Sequence, residues 1–445
     1  MLRTYIDAFT RAALDAGITR LKFYGQENCR RGITLYQGEL EKLERAEETQ
    51  LFIEGEFEGF SGSAFTEDLS PGGIADSIRA IQDSARETRG AFLPYDLAGL
   101  PERAGEPAPW GRLPELVERL KEAEAAAYEI DGVETVHACQ ISEGRRKVLL
   151  ADQAGHMAED SVPACHCHVY LSARRGQEVQ PSGKGTPFPP ENIPDMKMMA
   201  VEAAEAAVSR LNAGSVSSGA SPVVLDSRVV CELLDAFMPA FYAQNVRDGT
   251  SVLAGRAGQR VASGCVTILE DPDLPGGMNG RRFDDEGVPT SKKALVEQGI
   301  LRTYLCNRES AGGGQYGGNG FKREFNTAVA TGYTNIFLAP GKASQAELLE
   351  EMGSGLLITG VSGVFAGANP ASGDFSLISQ GYLVEHGQRG KAVQQITVAG
   401  NFFEMLCAVA DVGSDGAWMQ SPSGCLRAPS LYVRALAISG KEAGK

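Results

Sequence analysis

A change in hydrophobic rhythm near Ser221 constrains this 445-residue sequence more than any other feature. Upstream, two passages repeat the order helix, strands, helix. Residues 3–17 space Tyr5, Ile6, Phe9, Ala12, Ala13 and Ala16 at helical intervals and stop at Gly17. Strand-like runs follow at 21–26, 32–39, 41–48, 49–58 and 59–66. A helix over 69–88 then opens near Pro71 and repeats Ile74, Ile78 and Ile81. Residues 89–112 collect Pro94, Pro101, Pro107 and Pro109 and read as a linker. The second passage has a helix over 113–130, strands at 134–142, 146–151 and 164–173, a Gly/Pro-rich stretch over 174–194, and a helix over 194–211. Past Ser221, strands and glycine-rich turns dominate, at 222–225, 260–270, 294–305, 355–360, 376–385 and 394–399. Helices over 229–246 and 344–352 interrupt them. The expected fold class is α+β, with N-terminal helix–strands–helix layers and a larger β-rich, barrel- or sandwich-like C-terminal domain. The expected divisions are 1–105, 106–215 and 216–445.

The 53 glycines have no period, which excludes a collagen-like chain. A net charge of −15 with no extended Lys/Arg cluster argues against direct nucleic-acid binding. No stretch reaches the ~20 apolar residues of a membrane span. The first residues lack an apolar core and a cleavage site, and the nine cysteines are scattered without C-x-x-C spacing. These features predict a cytoplasmic protein with reduced thiols.

Three clusters invite a chemical reading. Cys165-His166-Cys167-His168 sits in a strand-like run, so His166 and His168 share one face and the cysteines the other. Four ligands on opposite faces cannot converge on one ion, although one face, helped by His137 or Cys139, leaves a metal pair open. Gly312–Gly320 resembles a phosphate cradle but lacks the Lys-Ser/Thr of a P-loop and reads as a loop. Asp284-Asp285-Glu286-Gly287 reads as an acidic turn, with a peptide groove as the functional alternative. His386 falls in a Glu-His-Gly hairpin turn, which leaves no serine triad.

The C-terminal half carries a specific resemblance. Gly249-Thr250-Ser251 leads through Ala254-Gly255-Arg256 toward residue 261. Phe283-Asp284-Asp285-Glu286-Gly287, Gly317-Gly318-Asn319-Gly320, Gly373-Asp374-Phe375-Ser376, Gly381-Tyr382-Leu383 and Ala399-Gly400-Asn401 follow in order. This series resembles the TldD/PmbA family, once called modulators of DNA gyrase. The resemblance spans 221–445 and is looser upstream. It implies a zinc peptidase made by pairing a TldD with a TldE (PmbA-type) subunit, acting on unfolded peptides. The TldD subunit carries a His-Glu-x-x-x-His segment and a distant cysteine that hold zinc, its glutamate serving as general base; the TldE subunit lacks this set.

Counted back from Gly249, the family's segment falls on 234–239. That places Leu234 and Pro239 at the histidine positions and Asp235 at the glutamate position. A shifted register offers Cys231 and Glu232. No histidine occurs between His168 and His386, so no two-histidine motif fits in any register. Cys425 lies near the family's cysteine position. The resemblance therefore implies a PmbA/TldE-type subunit with no catalytic residues and no metal or cofactor of its own. Zinc is expected only in a TldD-like partner, with dimerisation through that partner or a second copy. A homodimeric peptide-binding protein and a hydrolase with an unrecognised metal site are the alternatives.

Overall fold

The computed structural model describes residues 2–100, 110–312 and 317–440. Helix α1 (Leu2–Asp15) buries Leu2, Tyr5, Ile6, Phe9 and Ala13 along one stripe. Strands β1 (Arg20–Tyr36), β2 (Glu39–Phe57) and β3 (Phe60–Thr66) form an antiparallel meander. Helix α2 (Pro71–Thr88) starts where the Ser70 side chain accepts from the Gly73 amide, with proline in its first turn. Helix α3 (Leu113–Tyr128), strands β4 (Val133–Asp152), β5 (Met157–Pro163), β6 (His166–Arg175) and β7 (Glu178–Pro187), and helix α4 (Met196–Arg210) complete this half.

The short strands expected at 21–26, 32–39 and 41–58 fuse into two long ones. β1 and β2 pair from Arg20↔Glu56 to Tyr36↔Glu39 with one register shift between Thr34 and Leu35, so the glycines at 25 and 32 sit inside the ladder. The Gly/Pro-rich stretch 174–194 also contains a strand that composition concealed. β7 pairs β6 from His166↔Pro187 to Arg175↔Glu178, and as the outermost strand it accommodates Pro181 and Pro187. The boundary expected near 105 lies outside the described residues. On either side of it, the two segments share one seven-stranded sheet, ordered β3-β2-β1-β4-β6-β7 with β5 on β4. Leu21 and Phe23 of β1 pack under α1 and α2, and Ile33 and Leu35 under α3 and α4. Tyr24 points to the opposite face, where it joins Val148, Leu150 and Phe283.

The C-terminal half begins with β8 (Gly219–Leu225) and α5 (Ser227–Phe237). β8 pairs in parallel with Gly355–Ser362, which pairs with Asp374–Glu385, and that strand with Gln388–Asn401. Gln388–Asn401 meets Leu431–Ser439, which returns to β8 and closes a barrel. Closure removes the free edges and encloses Val223, Leu225, Ile358, Leu377, Ile396 and Val433. The chain is therefore α+β with a barrel in its C-terminal half. A second sheet holds Ile268–Glu270, Lys293–Glu297, Ile300–Leu301, Asn335–Leu338, Ala417–Ser421 and Gly424–Ala428.

The long strands expected at 260–270 and 294–305 are thus much shorter. Val261 and Ala262 both donate to the Gly299 carbonyl instead of joining a ladder. Gln298 and Gly299, at φ 46° and 79°, turn the second segment into a tight hairpin. Among the described residues no helix is long and apolar enough to cross a membrane.

Candidate functional site

Helix α5 runs between the barrel strand Gly355–Ser362 and the strands Ala417–Ser421 and Gly424–Ala428. Its start is fixed by Asp226, which accepts from the Arg228 amide at 3.0 Å and the Gln345 side chain at 3.1 Å. It buries Val229, Val230, Cys231, Leu233, Leu234 and Phe237. The single helix expected over 229–246 does not form. α5 ends at Phe237, a 3₁₀ turn spans Met238–Phe241, and a short helix follows at Ala243–Arg247. Pro239 explains the break, because its ring crowds the carbonyl four residues back and it has no amide to donate.

The residues matching the family's zinc segment do not make a metal shell. Leu234 is 1% exposed and belongs to the apolar core between barrel and helix. Pro239 lends its carbonyl to the Asn245 side chain at 2.8 Å. Asp235 accepts from the buried Tyr333 hydroxyl at 2.7 Å. Burial, then the Asp235 charge, pushes that hydroxyl well above the ordinary tyrosine range. Cys231 bonds the Ala417 carbonyl at 3.3 Å, and burial pushes its thiol up to about 12. Cys425 is fully buried, with its thiol pushed up to about 11 by the same cause, and it lies near enough to perturb Cys231. Burial also raises the Glu232 carboxyl.

Zinc takes thiolates and neutral imidazoles. Here two thiols stand without the two imidazoles that the segment would need, since no histidine occurs between His168 and His386. Among the described residues no three His, Cys, Asp or Glu side chains gather into a metal-holding group. The residues do not fit zinc.

The acidic turn divides its labour. Asp284, fully buried, accepts from the amides of Glu286 and Val288 at 2.9 Å and of Gly320 at 2.8 Å. Burial outweighs these bonds and pushes its carboxyl up to about 7. Gly287, at φ 77°, completes the turn. Asp285 pairs with Arg281 at 2.9 Å and accepts from the Lys322 amide at 2.8 Å. Glu286 accepts from the Arg308 amide at 2.7 Å.

Asp285 and Glu286 reach a cleft of about 500 Å³ between the outer face of the N-terminal sheet and the C-terminal half. Lys22, Phe52, Leu93 and Tyr95 line its other walls. A buried anchor behind this region went unread in the sequence. Glu270, 1% exposed, accepts from Asn319, the amide and hydroxyl of Thr334, and Lys293 at 2.8–3.1 Å. Its partners lie up to 64 residues away, so no local pattern announces them.

The other clusters stay apart. Cys165 and Cys167 are buried on the helix side of β6, away from the face that carries His166 and His168. His137 meets Ser172 at 3.0 Å. In the glycine-rich loop, residues 313–316 lie outside the described residues; Gly318 packs so close to Pro289 that a Cβ would stand 2.4 Å from its carbonyl oxygen. His386 sits at φ 50° in the turn joining two barrel strands.

This architecture is shared. The profile of the PmbA/TldA metallopeptidase C-terminal domain matches residues 218–440, and that of the central domain matches residues 112–211. A metalloprotease of Archaeoglobus fulgidus is 35% identical over 210 residues, 46% of this chain and 48% of its own length. A metalloprotease of Methanocaldococcus jannaschii is 29% identical over 277 residues, 61% of this chain and 60% of its own. The chain thus spans 48% and 60% of these two curated relatives. The metalloprotease PmbA of Escherichia coli O157:H7 is 26% identical over 415 residues, covering 85% of this chain and 84% of its own. A solved Thermotoga maritima structure described as a modulator of a DNA gyrase superposes with TM-score 0.85 at 27% identity, covering 99% of this chain and all of that one. TldE of Thermococcus kodakarensis shares the fold, with TM-score 0.85 at 20% identity over 98% of this chain and 100% of its own.

Proposed function

This chain belongs to the PmbA/TldD metallopeptidase family, and on that premise we propose that it is a non-catalytic, TldE-type subunit. In this reading it holds unfolded peptide for a TldD-like partner that carries the zinc. One observation carries the reading: the chain has no histidine between His168 and His386, and the positions counted onto the family's two histidines hold a core residue, Leu234, and a helix-breaking Pro239. No replacement ligand set gathers nearby among the described residues. What persists is the cleft over Asp285 and Glu286, walled by aromatic, aliphatic and charged side chains that suit an extended peptide.

Mixing the purified chain with a zinc-loaded TldD-like subunit tests this. The expected outcome is peptide hydrolysis with both chains together and none with this chain alone. Equal hydrolysis by the TldD-like subunit with and without this chain would contradict the assignment.

A further inference from the structure

Beside the main cleft lies a side pocket of about 210 Å³, and the two share Tyr24, Asp285 and Lys322 as lining. The pocket wall carries four cations, Arg146, Arg281, Lys322 and Arg323, against the carboxylates Asp285 and Glu324. Asp160 stands behind it, 3.9 Å from the Nε of Arg281. Asp285 is committed to Arg281 and to the Lys322 amide. Arg146 gives its Nη2 to Asn279 at 2.8 Å. The Nε of Arg146 is buried and meets no hydrogen-bond acceptor, while that of Arg281 faces Asp160. A buried guanidinium donor left without an acceptor costs stability. Four cations around one pocket, with the half-buried Lys322 ammonium and the spare Arg146 donor among them, favour an anion there.

We propose that this pocket captures the C-terminal α-carboxylate of a peptide whose preceding residues lie in the larger cleft. Three carboxylates already offset three of the four cations, which suits a monoanion better than a dianion such as phosphate. The adjoining groove, walled by Phe52, Leu93 and Tyr95, gives the residues before the carboxylate an apolar bed. Burial pushes the Lys322 amine down to about 8, which still leaves it a cation at neutral pH. The inference rests on reading the cleft as a peptide groove, and the two fail differently.

The test uses the full chain and a fluorescein-labelled Ala/Leu heptapeptide, once as the free acid and once as the C-terminal amide, with anisotropy as readout. Loss of a charge-assisted bond predicts about tenfold tighter binding of the free acid. Arg146→Gln, and Arg323→Gln at an exposed position that the fold does not need, should each reduce that preference to about threefold or less while leaving amide binding unchanged. Equal binding of both peptides to the wild type overturns carboxylate capture and leaves the groove standing. Binding of neither overturns both. Inorganic phosphate that binds the wild type but not Arg146→Gln, with both peptides binding equally, assigns the pocket to free phosphate and overturns the peptide role.

Discussion

Replacing Arg281 with methionine is expected to destabilise the protein by about 3–5 kcal/mol, the range for removing one partner of a buried ion pair. The side chain is 2% exposed and donates to Asp285 at 2.9 Å, with Asp160 at 3.9 Å on its other side. Phe283 and Phe321 lie at 5.5 and 5.8 Å from its guanidinium carbon. Asp160 belongs to β5 of the N-terminal sheet and Asp285 to the C-terminal half, so this one cation joins the two. Methionine fills much of the volume but takes away the cation that both buried carboxylates share. The loss should be read as a lower urea midpoint, with proteolytic cutting appearing first where the halves meet. The double variant Arg281→Met/Asp285→Asn should recover part of the loss, because one stranded charge is gone. A single variant as stable as the wild type would remove Arg281 from this joining role.

Leu234→His is expected to cost about 2–5 kcal/mol, as for large core truncations, and zinc should not restore it. The position is 1% exposed among the apolar residues between barrel and α5. An imidazole there gives up leucine packing and takes a polar ring out of water with no partner shown for it. As a ligand it would be a single imidazole without the second histidine that the segment needs, an incomplete shell. The expected record is a lower thermal midpoint that millimolar zinc leaves unchanged. A midpoint returned to the wild-type value by zinc would mean that the site still closes around metal.

The sequence revealed elements with local signatures and concealed those fixed by distant pairing. The helix at 69–88 was legible because Pro71 and the isoleucine spacing are local, and it appears as Pro71–Thr88. β7 was missed because its prolines and glycines look like a loop until its edge position is known. Barrel closure depends on Gln388–Asn401 meeting Leu431–Ser439, a pairing with no sequence signal of its own. At the site, the absence of histidines between 168 and 386 was plain. The burial of Leu234 and the break at Pro239 were not, because a continuous helix seemed compatible with the apolar spacing. The role of Arg281 was hidden because Asp160, which it meets, is 121 positions away, beyond the reach of any motif.

The central claim is that the family's zinc site has been lost from this chain, and metal content tests it most directly. The purified chain, incubated with zinc and passed through a desalting column, is measured for zinc per chain. The account predicts far less than one zinc per chain, unchanged by Cys425→Ser. About one zinc per chain, lost when Cys425 is replaced by serine, would contradict it.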